Sequence, residues 1–138
     1  MIYNNIGNKS IKSVKKRVYM KKIIIWLVML LLVGGLAYGM LNFMQKRLVE
    51  KTVDQTLHEK QWDTKVQDKK TRYMSSYGEH YVEVTFKDEK DITYRMQLVP
   101  YPTVKDVIFQ KGYDPEVTST GFKDSRNVDK TKARYTVE

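Results

Sequence analysis

The sequence contains no cysteine among its 138 residues. This absence excludes a disulfide framework, a thiol nucleophile, a thiolate metal site and lipid attachment to a cysteine side chain. A small disulfide-stapled secreted module is therefore disfavoured. Export from a bacterium stays open, because many bacterial surface proteins contain no disulfide.

Residues suited to catalysis or metal binding are also scarce. The two histidines, His58 and His80, lack the spacing of a metal site or of a nucleophile-histidine pair. Gly-rich phosphate loops and a nucleophile elbow are absent as well. The carboxylates of Asp88, Glu89 and Asp91 fit a solvated turn better than a calcium loop. The sequence predicts a protein that is not an enzyme, with no catalytic residue, cofactor, metal site or small-molecule substrate.

Acidic residues are missing from the first 43 positions, although the chain has 16 of them. Seven of the 25 Lys and Arg residues lie before residue 23. The rest of the chain therefore contains 18 basic residues and all 16 acidic residues, which nearly balance. The formal net charge of +9 therefore belongs mostly to the N-terminal segment. A short basic arm without a folded recognition element gives only nonspecific contact with nucleic acid, so we predict no nucleic-acid partner.

An uncharged run of 21 residues, from Ile23 to Phe43, follows the basic segment. As a helix it would span roughly 30 Å, the thickness of the hydrocarbon core of a bilayer. A helix in a soluble core would carry a polar stripe, whereas only Asn42 is strongly polar here. The run predicts a transmembrane helix whose anchor residues include Ile23, Trp26, Leu30, Gly35, Gly39 and Phe43.

The charge bias across this run predicts its orientation. Lys and Arg concentrate on the cytoplasmic side of membrane helices. The residues that we assign to this role, and to contact with lipid, are Lys15, Lys16, Arg17, Lys21 and Lys22. We therefore predict a single-pass cell-membrane protein with a cytoplasmic N-terminus and an extracytoplasmic C-terminus.

Two further hypotheses concern the same run. A cleaved signal peptide has a similar basic start and apolar stretch, and Ala37 and Gly39 would suit cleavage after Gly39. The uncharged run continues past that point, which favours a retained anchor. Gly35 and Gly39 also have the spacing that lets two membrane helices approach closely, which suggests dimerisation through this helix.

Helical periodicity continues beyond the run to about Gln61. Val49, Val53 and Leu57 recur every four residues and form one apolar stripe. We expect a helix that leaves the membrane, packs its stripe on a partner surface and ends near Trp62.

Alternating apolar and polar residues then indicate β-strands. The segments His80–Lys87 and Ile92–Leu98, joined by a short polar link, predict an antiparallel hairpin with one apolar face. A weaker alternation at about Lys65–Met74 predicts an edge strand, whose charged residues disfavour pairing with another chain. The apolar residues expected to meet the helix are Val82, Val84, Phe86, Ile92, Tyr94, Met96 and Leu98.

The segment after the hairpin allows alternatives. Pro100 and Pro102 end the strand, because proline cannot donate a backbone hydrogen bond. Val104–Gln110 fits either a short helix capped by Thr103 or a strand, and we favour the strand. From residue 116 onward small polar residues predict a loosely ordered tail. After residue 122 the residues suited to a core are Val128, Tyr135 and Val137.

Together these elements predict an α+β protein in four parts. Residues 1–22 form a basic cytoplasmic tail, 23–43 a transmembrane helix, 44–115 an extracytoplasmic domain and 116–138 the loosely ordered tail. The domain is a helix packed on an antiparallel sheet of three or four strands. It is similar to cystatin-like domains in architecture alone, which implies no function.

Tyrosine is frequent in the predicted domain and is enriched at protein interfaces. Tyrosines opposite the core would form a contact surface, for which we select Tyr77, Tyr81 and Tyr101. The alternative is a structural role, because tyrosine also fills both faces of strands in small sheets.

The order of features resembles a family of small single-pass membrane proteins of Gram-positive bacteria, described only as a domain of unknown function. The resemblance extends over residues 21–112 and implies a Firmicute cell envelope, without an activity or site residues. The residues that carry it are Lys21–Ile25, Gly34, Gly35, Val49, Val53, Tyr81–Asp88 and Ile92–Tyr94.

These observations favour a noncatalytic, membrane-anchored module of the cell envelope that contacts another envelope protein or a second copy of itself. One alternative is an envelope hydrolase or peptidase that uses His80 or a serine. A pocket that brings His80 within reach of an acid and a nucleophile would favour it. The other alternative is a soluble secreted factor released by cleavage near Gly39.

Overall fold

The computed structural model of the protein describes the backbone of residues 3–137 and the side chains of residues 10–137. The chain divides into two compact units, residues 1–40 and 41–138. Helix α1 (Tyr3–Glu59) begins in the first unit and ends in the second. Because an antiparallel sheet follows this helix, the α+β class is confirmed.

The first unit is a helix whose apolar side chains are exposed. Trp26 is 75% and Leu30 70% exposed, and no residue in the most apolar stretch is buried. Within the described chain, the segment Ser10–Glu59 is long and apolar enough to cross a membrane, although a signal sequence would meet the same criterion. Exposed apolar surfaces of this extent are typical of segments that contact a membrane or another protein.

In the second unit, α1 supplies one side of the core. Val49 and Val53 are fully buried and Leu57 is 3% exposed, as the four-residue spacing predicts. Beyond the last turn, Gln61 adopts a left-handed conformation (φ 57°) and the Trp62 N–H donates to the Leu57 carbonyl at 2.8 Å. This Schellman-type ending directs the chain through a short 3₁₀ turn into the sheet.

The sheet has five strands, each antiparallel to its neighbours and arranged in the order of the sequence. This corrects the prediction of three or four strands. The strands are β1 (Val66–Met74), β2 (Glu79–Phe86), β3 (Glu89–Val99), β4 (Glu116–Lys123) and β5 (Arg126–Asn127).

The predicted hairpin is formed by β2 and β3. Val82 pairs with Met96 and Val84 with Tyr94, and all four side chains are at most 1% exposed. The alternation therefore placed the correct residues on the face that packs against α1. The predicted edge strand is β1, which has one neighbour in the sheet.

The fourth strand lies where the sequence predicts a loosely ordered tail. Pairing with β3 over Thr93 to Val99 supplies hydrogen-bond partners for its backbone, so tertiary context outweighs the weak local pattern. Gly121 permits close packing here, because an added Cβ would lie 3.0 Å from Ile92 Cγ2 and 3.2 Å from Ala133 Cβ.

Tyr135 further contradicts the predicted loose tail. Its ring stacks on Phe86 with centroids 3.7 Å apart and meets Trp62 edge-on at 5.0 Å. Its hydroxyl donates to the Asp88 carboxylate, 2.7 Å from Oδ2. This hydrogen bond lowers the pKa of Asp88, while burial raises the pKa of Tyr135 to about 12. The folded domain therefore continues past residue 115 as far as the structure describes the chain.

The ambiguous segment after the hairpin is helix α2 (Val104–Phe109), so the preference for a strand was wrong. Thr103 and Asp106 form a capping box, in which the Thr103 N–H donates to Asp106 Oδ2 at 2.8 Å. Val107 is buried whereas Ile108 is 54% exposed. The capping interaction decides between the two alternatives that hydrophobicity alone left open.

We expect Tyr135→Ala to destabilise the second unit by about 3–5 kcal/mol, the range for removal of a large buried aromatic side chain. Urea unfolding of the full chain in detergent, followed by Trp62 fluorescence in a Trp26→Phe background, measures this loss. Tyr77→Ala is the control, because Tyr77 is 75% exposed. Equal stability of the two variants would show that Tyr135 is not part of the core.

Candidate interaction surface

The sheet has one face that packs against α1 and an opposite face, here called the outer face. Residues alternate between the two faces along each strand, and strand register places the outward-facing residues side by side. The outer face consists of Asp68, Lys70 and Arg72 of β1, Tyr81, Glu83 and Thr85 of β2, Thr93, Arg95 and Gln97 of β3, and Thr118, Thr120 and Phe122 of β4.

Arg95 occupies the middle of the outer face. It lies between Glu83 on β2 and Thr120 on β4. Its guanidinium carbon lies 4.7 Å from the ring centroid of Tyr81 and 4.6 Å from that of Phe122. Both distances are within the range of cation–π attraction, so two aromatic rings hold this cation in place.

The charge of Arg95 has no carboxylate partner among the described residues. Its Nε is buried without a hydrogen-bond partner. The neighbouring Glu83 instead accepts from Arg72 Nε at 3.3 Å, and Asp91 pairs with Lys123 at 3.4 Å. A buried, unpaired donor costs free energy, so the surrounding aromatic contacts must offset this cost.

A shallow cavity of about 530 Å³ opens beside this cation, lined in part by Arg95, Phe122 and Ser125. The carboxylates of Glu83, Asp91 and Asp124 also line it and would repel a ligand with several negative charges. The cavity therefore suits a single carboxylate or carbonyl oxygen better than a polyphosphate.

The structure does not bring the three predicted tyrosines together. Tyr81 lies on the outer face under Arg95, and Tyr77 is 75% exposed in the turn between β1 and β2. Tyr101 packs against the core instead, where its hydroxyl accepts from the His80 backbone N–H at 3.0 Å. Arg95 and Phe122 were not selected from the sequence, although the predicted hairpin already placed Arg95 near Tyr81.

His80 is buried at the start of β2, with 8% of its surface exposed. Its Nδ1 lies 3.2 Å from the Tyr101 hydroxyl, and its ring is tilted against that of Tyr73 at 4.9 Å. Burial lowers the pKa of His80, the charge of Lys46 lowers it further, and Glu50 opposes this change. The described residues place no carboxylate within hydrogen-bond distance of the His80 ring.

The other histidine is on the surface. The side chain of His58 is 82% exposed, and its Nδ1 lies 2.9 Å from Asp63 Oδ2. This contact lowers the pKa of Asp63. It is an exposed local pair at the end of α1.

The predicted anchor residues and basic residues lie along α1. Ile23 is 57% and Phe43 54% exposed, and an added Cβ at Gly35 or Gly39 would meet no atom within 4 Å. The five basic residues, Lys15, Lys16, Arg17, Lys21 and Lys22, are all exposed. These positions permit contact with lipid, which stays a prediction.

We expect the stability of the protein to fall as the pH drops below 6.5, the ordinary pKa of histidine. The unfolded chain then takes up a proton on residue 80 that the folded chain, with its lowered pKa, resists. Urea unfolding at pH 7.5 and 5.5 measures this loss. His80→Gln should reduce the pH dependence. An equal pH dependence in His80→Gln and the parent would contradict the assignment.

Comparison with known proteins places the chain in a family without an assigned activity. No curated protein and no solved structure matches it. A family model described as a protein of unknown function (DUF3139) matches residues 19–96. The match covers more than half of the chain, from before the apolar run into β3. The chain therefore belongs to this family of proteins of unknown function, DUF3139.

Proposed function

We propose that this protein is a membrane-anchored, noncatalytic module of the cell envelope that binds another protein through the outer face of its sheet. The observation that carries the proposal is Arg95, a cation stacked between Tyr81 and Phe122 with its Nε unpaired. The Nε is buried, whereas Arg95 as a whole is half-buried and lines a cavity that is open to solvent.

The anchoring part of the proposal rests on α1. Its side chains from residue 23 to residue 40 are all exposed, and a bilayer would remove this apolar surface from water. Seven basic residues precede the run, and no acidic residue does. This asymmetry favours a cytoplasmic N-terminus and an extracytoplasmic sheet.

The binding part rests on the chemistry around Arg95. Arginine and tyrosine are enriched among residues that dominate protein-protein binding energy, especially where a ring of neighbours excludes water. Lys70 and Arg72 lie on the same face and are paired with Asp68 and Glu83, so the free charge is concentrated at Arg95. A carboxylate or carbonyl oxygen of a partner would complete its hydrogen bonds.

The hydrolase hypothesis finds no comparable support at His80. A histidine that activates a nucleophile needs that nucleophile and an orienting acid within hydrogen-bond distance. Among the described residues, the partner of its ring nitrogen is the Tyr101 hydroxyl, and burial raises the pKa of Tyr101. This arrangement favours a neutral hydrogen-bonded pair of His80 and Tyr101 with a structural role beside the core.

We expect Arg95→Ala to reduce partner binding roughly 30-fold, which corresponds to about 2 kcal/mol for a residue that dominates an interface. The measurement is the yield of adducts in intact cells from a photo-crosslinking amino acid placed at Thr120, which is exposed opposite Arg95. Arg95→Lys should also lose adducts, because lysine keeps the charge but not the planar stack.

The matched control is Lys70→Ala, because Lys70 lies on the same face in an exposed ion pair with Asp68. This variant should keep the adducts, since exposed ion pairs contribute little. Adducts that Arg95→Ala leaves unchanged would refute binding at Arg95. An adduct of twice the mass of the chain would identify a second copy as the partner.

We expect a cysteine at Lys90 to react with a membrane-impermeant thiol reagent in intact cells, and a cysteine at Lys12 to react only after lysis. The parent has no cysteine, so each variant carries one reactive thiol. The reverse pattern would contradict the proposed orientation. The mass of the labelled Lys90→Cys protein tests cleavage, because a chain cut after Gly39 lacks its first 39 residues.

A further inference from the structure

The large hydrophobic residues exposed on the second unit lie at one end of it. Beyond α1, the described residues of this kind are Tyr73, Tyr77, Val99, Val104, Ile108 and Phe109. We call this set the apolar rim. The most exposed members are Tyr77 at 75% and Phe109 at 73%. An apolar surface confined to one end of a small domain indicates an interaction site.

The direction of β1 places Tyr73 and Tyr77 at this end. Lys69 of β1 pairs with Asp54 of α1, and Thr71 donates to Glu50 at 2.7 Å. Strand β1 therefore runs antiparallel to α1. The end of β1 and its following turn lie toward the beginning of the second unit.

Contacts of α2 place the three rim residues of this helix at the same level. Gln45 of α1 donates from Nε2 to the Pro102 carbonyl at 3.0 Å. Val107 of α2 lines a groove of about 190 Å³ together with Phe43, Met44 and Arg47. Helix α2 is therefore beside residues 43–47 of α1.

The part of α1 beside α2, residues 43–47, is also where the sequence of α1 changes from apolar to charged. The predicted transmembrane run ends at Phe43, and after two further uncharged residues Lys46 and Arg47 are the first charged ones. If α1 is anchored as proposed above, this is the depth at which the helix passes from hydrocarbon into the headgroup region.

We propose that the apolar rim inserts into the outer leaflet of the same bilayer, so that the domain rests on the membrane surface. Val104 and Ile108 are one helical turn apart and present one apolar face. Lys105 and Lys111 are exposed beside them, and lysine side chains reach lipid phosphates from such positions. Tyrosine is likewise favoured at the headgroup level. The inference rests on the proposed function, because it requires α1 to cross the membrane.

Contact with the bilayer also fixes the direction of the outer face. The apolar rim lies at one end of the strands, and the turn between β2 and β3 lies at the other. With the rim on lipid, the strands stand away from the membrane and Arg95 faces sideways. A partner would therefore approach parallel to the membrane surface.

The test is depth measurement on the full chain in vesicles of phosphatidylcholine and phosphatidylglycerol. Single-cysteine variants Phe109→Cys and Tyr77→Cys carry a nitroxide label. The measured quantities are collisions of the label with oxygen, which partitions into lipid, and with a water-soluble nickel chelate. Lys90→Cys is the exposed control at the opposite end, and Leu30→Cys reports on the apolar run.

We expect labels at residues 109 and 77 to lose nickel collisions and to gain oxygen collisions relative to the label at Lys90. A label at Leu30 that reports lipid while both rim labels report water would overturn the inference and leave the proposed anchor intact. A label at Leu30 that also reports water would overturn the anchor itself. Rim labels shielded from both reagents would indicate a protein contact instead of lipid, and would also overturn the inference.

Discussion

The packing of one apolar stripe of α1 on the sheet is the contact on which the second unit depends. Val49, Val53 and Leu57 are almost completely buried, and they belong to the same continuous helix as the exposed apolar run. One side of the core is thus supplied by a helix whose earlier residues are suited to lipid. The polar contacts of Glu50 and Asp54 with β1 fix the register of helix and sheet.

The parts of the fold that follow from local periodicity could be predicted from the sequence. Four-residue spacing identified the stripe of α1, and two-residue alternation identified the inner faces of β2 and β3. These patterns succeed because each element buries one face against its neighbour. The edge position of β1 followed from its lysine and arginine residues in the same way.

The parts that depend on distant partners could not be predicted. The β4 segment has a weak pattern of its own, and its backbone is satisfied by β3. Tyr135 is an isolated aromatic in a polar stretch, yet it packs against Phe86, which is 49 positions earlier in the chain. The candidate site was recognised only in part for a related reason. Alternation shows which face Arg95 occupies, whereas its stacking on Phe122 needs the strand that was missed.

The contact between Tyr135 and Phe86 has a consequence for the order of events in an exported chain. The stripe of α1 emerges early, but the core lacks the ring that stacks on Phe86 until residue 135 has crossed the membrane. Contacts between residues so far apart in sequence form slowly, because a long loop must first close. For a chain anchored as proposed, almost the whole second unit must cross the membrane before its core can close.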